Sequence, residues 1–312
     1  MACYLCGYPS VNMVKRGIRN DEGAVVVECT KCTLQWVPKL LNLDPDILAK
    51  YYEDQTYRDE RASMEGTLED RYNRDREFAL KRRDQLFSYG PLIGKNVLDV
   101  GAGSGAFANV ARMGAGDGGD IVAVEPNDED RKFIQNHVTN VITSPTLSDL
   151  PPHFLGYFDF ITLFHVVEHV QDPQKLLHEA SGFLSPGGVM IIETPNANDA
   201  MIDVYKVEAF RDQWYQNAHI WYFNHSTLSR LCQSVGGLEP AWNTRHGKWS
   251  ENRAAGYVQR YGLSNHLQWM MGTERPGHEL LPFLGENRTY NNDLIKSGRA
   301  DTLWFALKKE IK

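Results

Sequence analysis

Val97-Leu98-Asp99-Val100-Gly101-Ala102-Gly103-Ser104-Gly105-Ala106-Phe107 is the stretch that decides the fold. An apolar run ends in three spaced glycines, and a helical pattern follows at Phe107, Val110 and Ala111. The change of period predicts a buried strand, a tight turn and a helix N-terminus. Glycine lets the backbone turn sharply and come close to a ligand. The helix start behind it leaves N–H groups free to meet one. Taken alone the stretch admits more than one ligand, because Gly101, Gly103 and Ala106 also match the looser dinucleotide-binding spacing.

Flanking segments narrow the choice. Asp99 lies inside the first strand, and a second strand, Ile121-Val122-Ala123-Val124, ends in Glu125. Phe158-Asp159 opens the strand Phe160-Ile161-Thr162-Leu163, and the turn Leu184-Ser185-Pro186-Gly187-Gly188 precedes Val189-Met190-Ile191-Ile192. In this order these features resemble the class I S-adenosylmethionine-dependent methyltransferases, from Val97 to about Phe223. The resemblance implies an α/β architecture with a Rossmann-like doubly wound sheet. It also implies that Gly101, Gly103 and Gly105 lie against the methionine part of S-adenosylmethionine. Asp99 is then expected on the ammonium side, and Glu125 as acceptor for both ribose hydroxyls, a task suited to a carboxylate. Relatives carry an acid near Thr146 for the adenine amino group. Here the stretch is Ser144-Pro145-Thr146-Leu147-Ser148-Asp149, so Thr146, Leu147 or Asp149 is expected there, with Phe164 and Tyr57 completing the cofactor set.

Length and charge set bounds. A chain of 312 residues is ample for a sizeable core, and its net charge of -7 argues against a nucleic-acid partner. No apolar run approaches a membrane span and no signal-peptide core opens the chain, so a soluble, cytoplasmic protein is expected.

The first segment carries Cys3-Tyr4-Leu5-Cys6 and Cys29-Thr30-Lys31-Cys32, with the strand-like Ala24-Val25-Val26-Val27 between them. Paired knuckles supply four thiolates for a closed tetrahedral zinc, structural rather than catalytic. The segment resembles a zinc ribbon, expected over residues 1–42. A charged helical connector is expected over 43–90, started by Asp44-Pro45. Its Tyr51, Tyr52, Tyr57 and Arg58 resemble a tyrosine-rich stretch of bacterial glycan- and deoxysugar-pathway methyltransferases, which covers the cofactor cleft. Arg71, Arg74, Arg76, Lys81, Arg82 and Arg83 alternate with acids and read as a solvated helix face. The methyltransferase domain is expected over 91–312, with Ser226 as a helix cap, a substrate-binding insertion at about 240–299 and a final strand from Asp301 to Leu307.

Two histidine regions carry the chemistry. His165-Val166-Val167-Glu168-His169 matches an inverted zinc-protease motif, but that motif needs a helix and here a strand runs straight into it. The run also resembles small-RNA 3′-end methyltransferases, in which Glu-x-x-Glu-His and a later histidine hold a divalent metal. That resemblance implies a second metal at Glu168, His169 and His219, with His165 replacing the first glutamate. Deoxysugar C-methyltransferases carry Tyr-His-Glu-His where this chain has Gln216-Asn217-Ala218-His219. Their second histidine is catalytic, so His219 is expected as the base, with His165 facing the methyl donor. Ala218 stands where the acid would be, which favours methylation of oxygen over carbon. Histidine titrates near working pH and suits a hydroxyl proton. The expected function is O-methylation of a sugar, nucleotide-sugar or other small hydroxyl-bearing metabolite. The alternatives are sugar C-methylation, RNA methylation and a non-catalytic S-adenosylmethionine-binding scaffold. Residues 1–40 hold five Lys and Arg (Lys15, Arg16, Arg19, Lys31, Lys39) against three acids (Asp21, Glu22, Glu28), a thin surplus for RNA.

Overall fold

The computed structural model describes residues 2–53, 66–243, 248–249 and 297–311. Its first strands are β1 (Val11–Ile18), β2 (Asp21–Cys29) and β3 (Gln35–Trp36). Arg19 and Asn20 form the two-residue loop between β1 and β2, with Asn20 at φ 66, a left-handed conformation that asparagine tolerates. Two short helices follow, α1 (Pro38–Leu41) and α2 (Pro45–Glu53), the second begun by Asp44, whose carboxylate accepts from Asp46 N–H at 2.9 Å. Helix α3 (Leu68–Leu86) starts on a reciprocal capping box between Thr67 and Asp70.

Strands and helices then alternate: β4 (Val97–Val100), α4 (Ala106–Ala115), β5 (Ile121–Val124), α5 (Asp128–His137), β6 (Val141–Ser144), β7 (Phe158–Phe164), α6 (Pro173–Phe183) and β8 (Leu184–Pro195). Helices α7 (Ala200–Asp203) and α8 (Glu208–Trp214) lead to β9 (Trp221–Tyr222) and α9 (His225–Gln233). The chain closes with β10 (Leu238–Pro240), a ribbon of β11 (Trp242–Asn243) and β12 (Lys248–Trp249), and β13 (Thr302–Lys309).

The main sheet runs β10-β13-β8-β7-β4-β5-β6. Strands β8, β7, β4, β5 and β6 are parallel, and β13 pairs antiparallel with β8. Strands β4 and β5 are buried throughout, as a parallel sheet covered on both faces requires. Strand order reverses at β4, which has β5 on one side and β7 on the other, and a crevice opens at such a point.

Side chains alternate between two apolar clusters. Val97, Ile121, Phe160 and Ile191 pack toward α3, α4 and α5. Leu98, Val122, Ile161 and Ile192 face the other way and share one cluster with α6, α9 and the cysteine-bearing segment. That segment is stitched to the main domain. Strand β3 pairs antiparallel with β9, so the small sheet reads β1-β2-β3-β9. Val37 N–H donates to Ile220 O at 2.9 Å, and Tyr215 Oη donates to Gln35 at 2.9 Å.

Three local expectations are corrected. The turn expected over Leu184-Ser185-Pro186-Gly187-Gly188 is instead part of β8, which starts at Leu184 and absorbs the extra residues as an irregularity where Phe158 pairs with Leu184 and Phe160 with Val189. Helix α9 is capped by Asn224, in a reciprocal box with Thr227, because Ser226 already lies inside the first turn and its hydroxyl donates to Asn224. Helix α3 is not a solvated face along its whole length, since Arg71 is buried against Asp130 at 3.7 Å and Arg82 reaches buried Glu193. The helix lies across the sheet, and tertiary burial overrides the charge pattern. Tyr57, Arg58 and most of the 240–299 insertion lie outside the described residues. Among the described residues, no helix is long and apolar enough to cross a membrane.

Candidate active site and cysteine cluster

A cavity of 870 Å³ opens over the C-terminal ends of β4, β5 and β7. Its floor is the turn after β4. Gly101, Gly103 and Gly105 all sit at positive φ, at 70°, 54° and 74°. A Cβ on Gly101 would fall 2.5 Å from Val166, and one on Gly105 2.6 Å from Ile134. The turn therefore needs glycine for both conformation and space.

Glu125 ends β5 and bends back over this turn. Its carboxylate accepts from Gly103 N–H at 2.8 Å and Asn127 N–H at 3.0 Å. Burial, with nearby Asp130 adding to it, pushes its pKa up to about 7 against the pull of those two N–H groups. Asp99 is buried on β4 and accepts from the Thr162 hydroxyl at 2.8 Å. Burial raises it to about 7 as well. Two buried carboxylates facing one cavity fit a ligand that brings hydroxyl donors and positive charge, as the ribose, sulfonium and ammonium of S-adenosylmethionine do. Thr146 and Leu147 line the same cavity beyond β6, the Thr146 hydroxyl donating to Asp149 at 2.6 Å. Phe164 lines it too, edge-on to Phe107, with the Arg82 guanidinium 4.5 Å from its ring centre.

At the end of β7 the backbone turns at His165, φ 56. The imidazole is held between two carboxylates, with Nδ1 3.3 Å from Glu168 and Nε2 3.0 Å from Glu193. Burial opposes its charge, yet these contacts outweigh burial and raise its pKa. Burial also works to raise Glu193, but the Arg82 and His165 charges hold it at about 2. Arg82 grips Glu193 with two N–H groups, at 2.5 and 3.2 Å.

His219 enters from the opposite side, on the loop between α8 and β9. It is buried and lies edge-on to His169, ring centres 4.7 Å apart. Gln216 Nε2 approaches its Nε2 at 2.7 Å. His169 Nδ1 lies 2.8 Å from Ala218 O and 3.0 Å from the Tyr52 hydroxyl. One ligand atom each from Glu168, His169 and His219 falls within 4.8 Å of the others. Sequence reasoning found both histidines but missed Arg82, Glu193 and Tyr52 as their surroundings, and also Arg19, Asn20 and Trp214 on the cavity wall. Only the tyrosine-rich stretch carried a local signal.

Away from the cavity, the four knuckle cysteines converge. Cys3 Sγ is 3.5 Å from Cys32 Sγ, and Cys6 Sγ 3.5 Å from Cys29 Sγ. All four sulfurs lie within 4.8 Å of one another. A tetrahedral zinc with Zn–S bonds of roughly 2.3 Å spaces its sulfurs about 3.8 Å apart, so the cluster fits that ion. Burial works against the Cys29 thiolate, but N–H groups of Cys32 and Lys31 outweigh it and bring its pKa down to about 7.

The strand order and the crevice define a Rossmann-like methyltransferase fold. The family profile described as "Methyltransferase domain" matches residues 70–236, more than half of the chain, and the protein belongs to that family. It is 33% identical over 109 residues to a ubiquinone biosynthesis O-methyltransferase of Erwinia tasmaniensis, a match covering 34% of this chain and 45% of the relative. A ubiquinone biosynthesis O-methyltransferase of Psychrobacter cryohalolentis is 34% identical over 115 residues, covering 34% and 43%. The match thus spans under half the length of each of these two relatives. The plantazolicin methyltransferase BpumL, solved with a monoazolic desmethylPZN analogue and SAH, shares the fold. Its TM-score is 0.51 at 14% identity, covering 87% of this chain and 97% of that one.

Proposed function

We propose that the protein is an S-adenosylmethionine-dependent O-methyltransferase acting on a small hydroxyl-bearing acceptor, with sugars and nucleotide-sugars the first class to try. One observation carries the reading. Glu125 at the tip of β5 and His219 on the far wall face the same 870 Å³ cavity, which is large enough for a nucleoside and a small acceptor together. The O-methyltransferase names of the relatives support oxygen as the acceptor atom.

Bound S-adenosylmethionine supplies an electrophilic methyl group. The chain's own residues do the rest. Gly101 and Gly103 bring the backbone close to the methionine part, Asp99 faces its ammonium side and Glu125 accepts from the ribose. Thr146, Leu147 and Phe164 provide the walls of the nucleoside site. His219 takes the acceptor proton as the oxygen attacks. A positioned histidine contributes roughly 10²–10⁴-fold in such a role. His165 is clamped by two carboxylates that favour its charged form, so its part is to orient Glu168 and Glu193 rather than to take the acceptor proton. The four cysteines hold a structural zinc that fixes the small sheet against β9.

A second reading is favoured by the cluster of Glu168, His169 and His219. The carbonyl of Ala218 beside His169 Nδ1 leaves Nε2 facing Glu168 Oε1 at 4.0 Å, which suits a divalent cation. In that reading these three residues would hold the ion, which would supply a Lewis acid for the acceptor oxygen, and His219 would be a ligand instead of a base.

The test is calorimetry with S-adenosylhomocysteine, followed by transfer of labelled methyl to a panel of sugars, nucleotide-sugars and catechols. Binding with transfer to oxygen is expected. Absence of S-adenosylhomocysteine binding refutes the proposal. Turnover lost to a chelator while the cysteine zinc stays bound selects the second reading.

A further inference from the structure

Two buried N–H groups beside the cavity have nothing to donate to among the described residues. The Nε of Arg19 and the Nε1 of Trp214 are both sealed from solvent, and neither meets an acceptor among the described residues. Both residues line the cavity that holds Asp99, Glu125 and His219. A guanidinium and an indole N–H are donors only, so no reorientation satisfies them. Leaving such groups unpaired is costly, and because both side chains line one cavity, an acceptor that shifted them on binding would satisfy them.

The charge is equally uncompensated. Among the described residues no carboxylate lies within 4.0 Å of the Arg19 guanidinium. Among the described residues its one side-chain hydrogen bond runs from Nη2 to the carbonyl oxygen of Gln216. That contact fixes the Gln216 amide so that its nitrogen faces His219. The backbone holds Arg19 in place. Its N–H donates to Tyr215 O at 2.8 Å, and its carbonyl accepts from Asn217 N–H at 3.3 Å. The cation therefore stands on a braced hairpin loop, two side chains away from the proposed base.

We infer that Arg19, helped by Trp214, binds an oxyanion of the acceptor, a carboxylate or a phosphate, and so sets which hydroxyl His219 reaches. The inference rests on the acceptor site proposed above. It makes the cysteine-bearing hairpin part of substrate recognition, because the loop between β1 and β2 supplies the anion contact. A guanidinium suits both oxyanions, and the two sources are separated by the probes.

The test uses the full-length zinc-loaded protein saturated with S-adenosylhomocysteine. Calorimetry compares 3,4-dihydroxybenzoate with uncharged catechol, and thymidine diphosphate-glucose with uncharged methyl glucoside. At least one anion is expected to bind tenfold or more tightly than its uncharged counterpart, and which one tells carboxylate from phosphate. Arg19→Gln should erase that preference, Arg19→Lys should restore part of it, and Trp214→Phe should weaken the anion alone. Arg16→Gln, an exposed charge on the same hairpin, should change nothing. A preference that survives Arg19→Gln, or a wild-type protein that binds neither anion, overturns the inference. Loss of S-adenosylhomocysteine binding itself would instead sink the cofactor reading, which the first titration reports separately.

Discussion

Glu125→Gln should separate stability from cofactor binding, moving the two in opposite directions with pH. The folded state holds this carboxyl at about 7 against an ordinary 4.5, mainly through burial. Between those values the folded chain keeps a proton that the unfolded chain has lost. Stability from this group is therefore fully present below pH 4.5 and is lost as pH rises through 7. The difference is worth about 3 kcal/mol at pH 8, taking about 1.36 kcal/mol for each tenfold change in proton affinity. With an unfolding entropy of roughly 2.1 cal/mol/K per residue, that corresponds to about 5 °C in Tm for a chain of 312 residues. Glutamine cannot ionise, so the Tm of Glu125→Gln minus that of wild type should climb by about 4 °C between pH 5 and 8.5, part of the difference being already lost at pH 5. Scanning calorimetry of the cofactor-free proteins reads this directly, and taking the difference cancels any pH effect of the cysteine cluster. Affinity for S-adenosylhomocysteine should show the reverse. Wild-type affinity should rise toward pH 8 as the carboxylate ionises, while the variant binds roughly 30- to 100-fold more weakly with that pH dependence gone. A Tm difference that stays flat with pH would refute the argument that Glu125 is a buried carboxylate waiting for a ligand.

Three further outcomes are expected. His219→Ala should lower kcat by roughly 10²–10⁴-fold and leave S-adenosylhomocysteine affinity within about twofold; an undiminished single-turnover rate would remove His219 from proton transfer. Gly105→Ala forces a side chain into a left-handed position, φ 74, with its Cβ 2.6 Å from Ile134. It should cost about 2–4 kcal/mol in urea unfolding, and an unchanged midpoint would show that the turn is not strained against α5. Metal analysis should find about one zinc per chain, and Cys29→Ser should lose it; the variant should unfold at lower temperature, because β2 and β3 carry the pairing to β9. A folded, metal-free wild-type protein would end the zinc assignment.

Much of the main sheet could be read from local pattern. The run from Val97 to Gly105 switches period within a few residues, and Glu125 closes the next strand, so each signal is contained in one element; the Ser-Pro-Gly-Gly stretch marks an irregularity inside β8 rather than a turn before it. The join between the cysteine segment and the catalytic domain has no such local mark. Strand β9 is two residues long, too short for any periodicity, and its partner β3 lies almost two hundred residues earlier. For the same reason the hairpin loop of Arg19 and Asn20 reads as an ordinary turn, although it forms a cavity wall. Helix α3 shows the opposite failure. Its arginines alternate with acids as on a solvated surface, but the acids that matter to Arg71 and Arg82 are Asp130 and Glu193, on other elements.

The two histidines show why residue type alone could not rank the candidates for the base. Both stand at positions that the family resemblance marks, and both line the cavity. Their neighbours differ in charge. His165 lies between Glu168 and Glu193, and those carboxylates raise its pKa against burial, favouring the form that already holds a proton. His219 meets a neutral amide, which is in turn oriented by Arg19. With Gln216 oxygen turned to Arg19, the amide can only donate to the imidazole, so the facing nitrogen of His219 must carry a lone pair. A lone pair on the proposed base is thus kept facing the Gln216 amide by a cation two links away. An acceptor whose oxyanion drew Arg19 off Gln216 would loosen that amide just as the hydroxyl arrived, exposing the lone pair where the proton must go. Binding of the acceptor and readiness of the base would then be one event, governed by a residue of the cysteine-bearing hairpin.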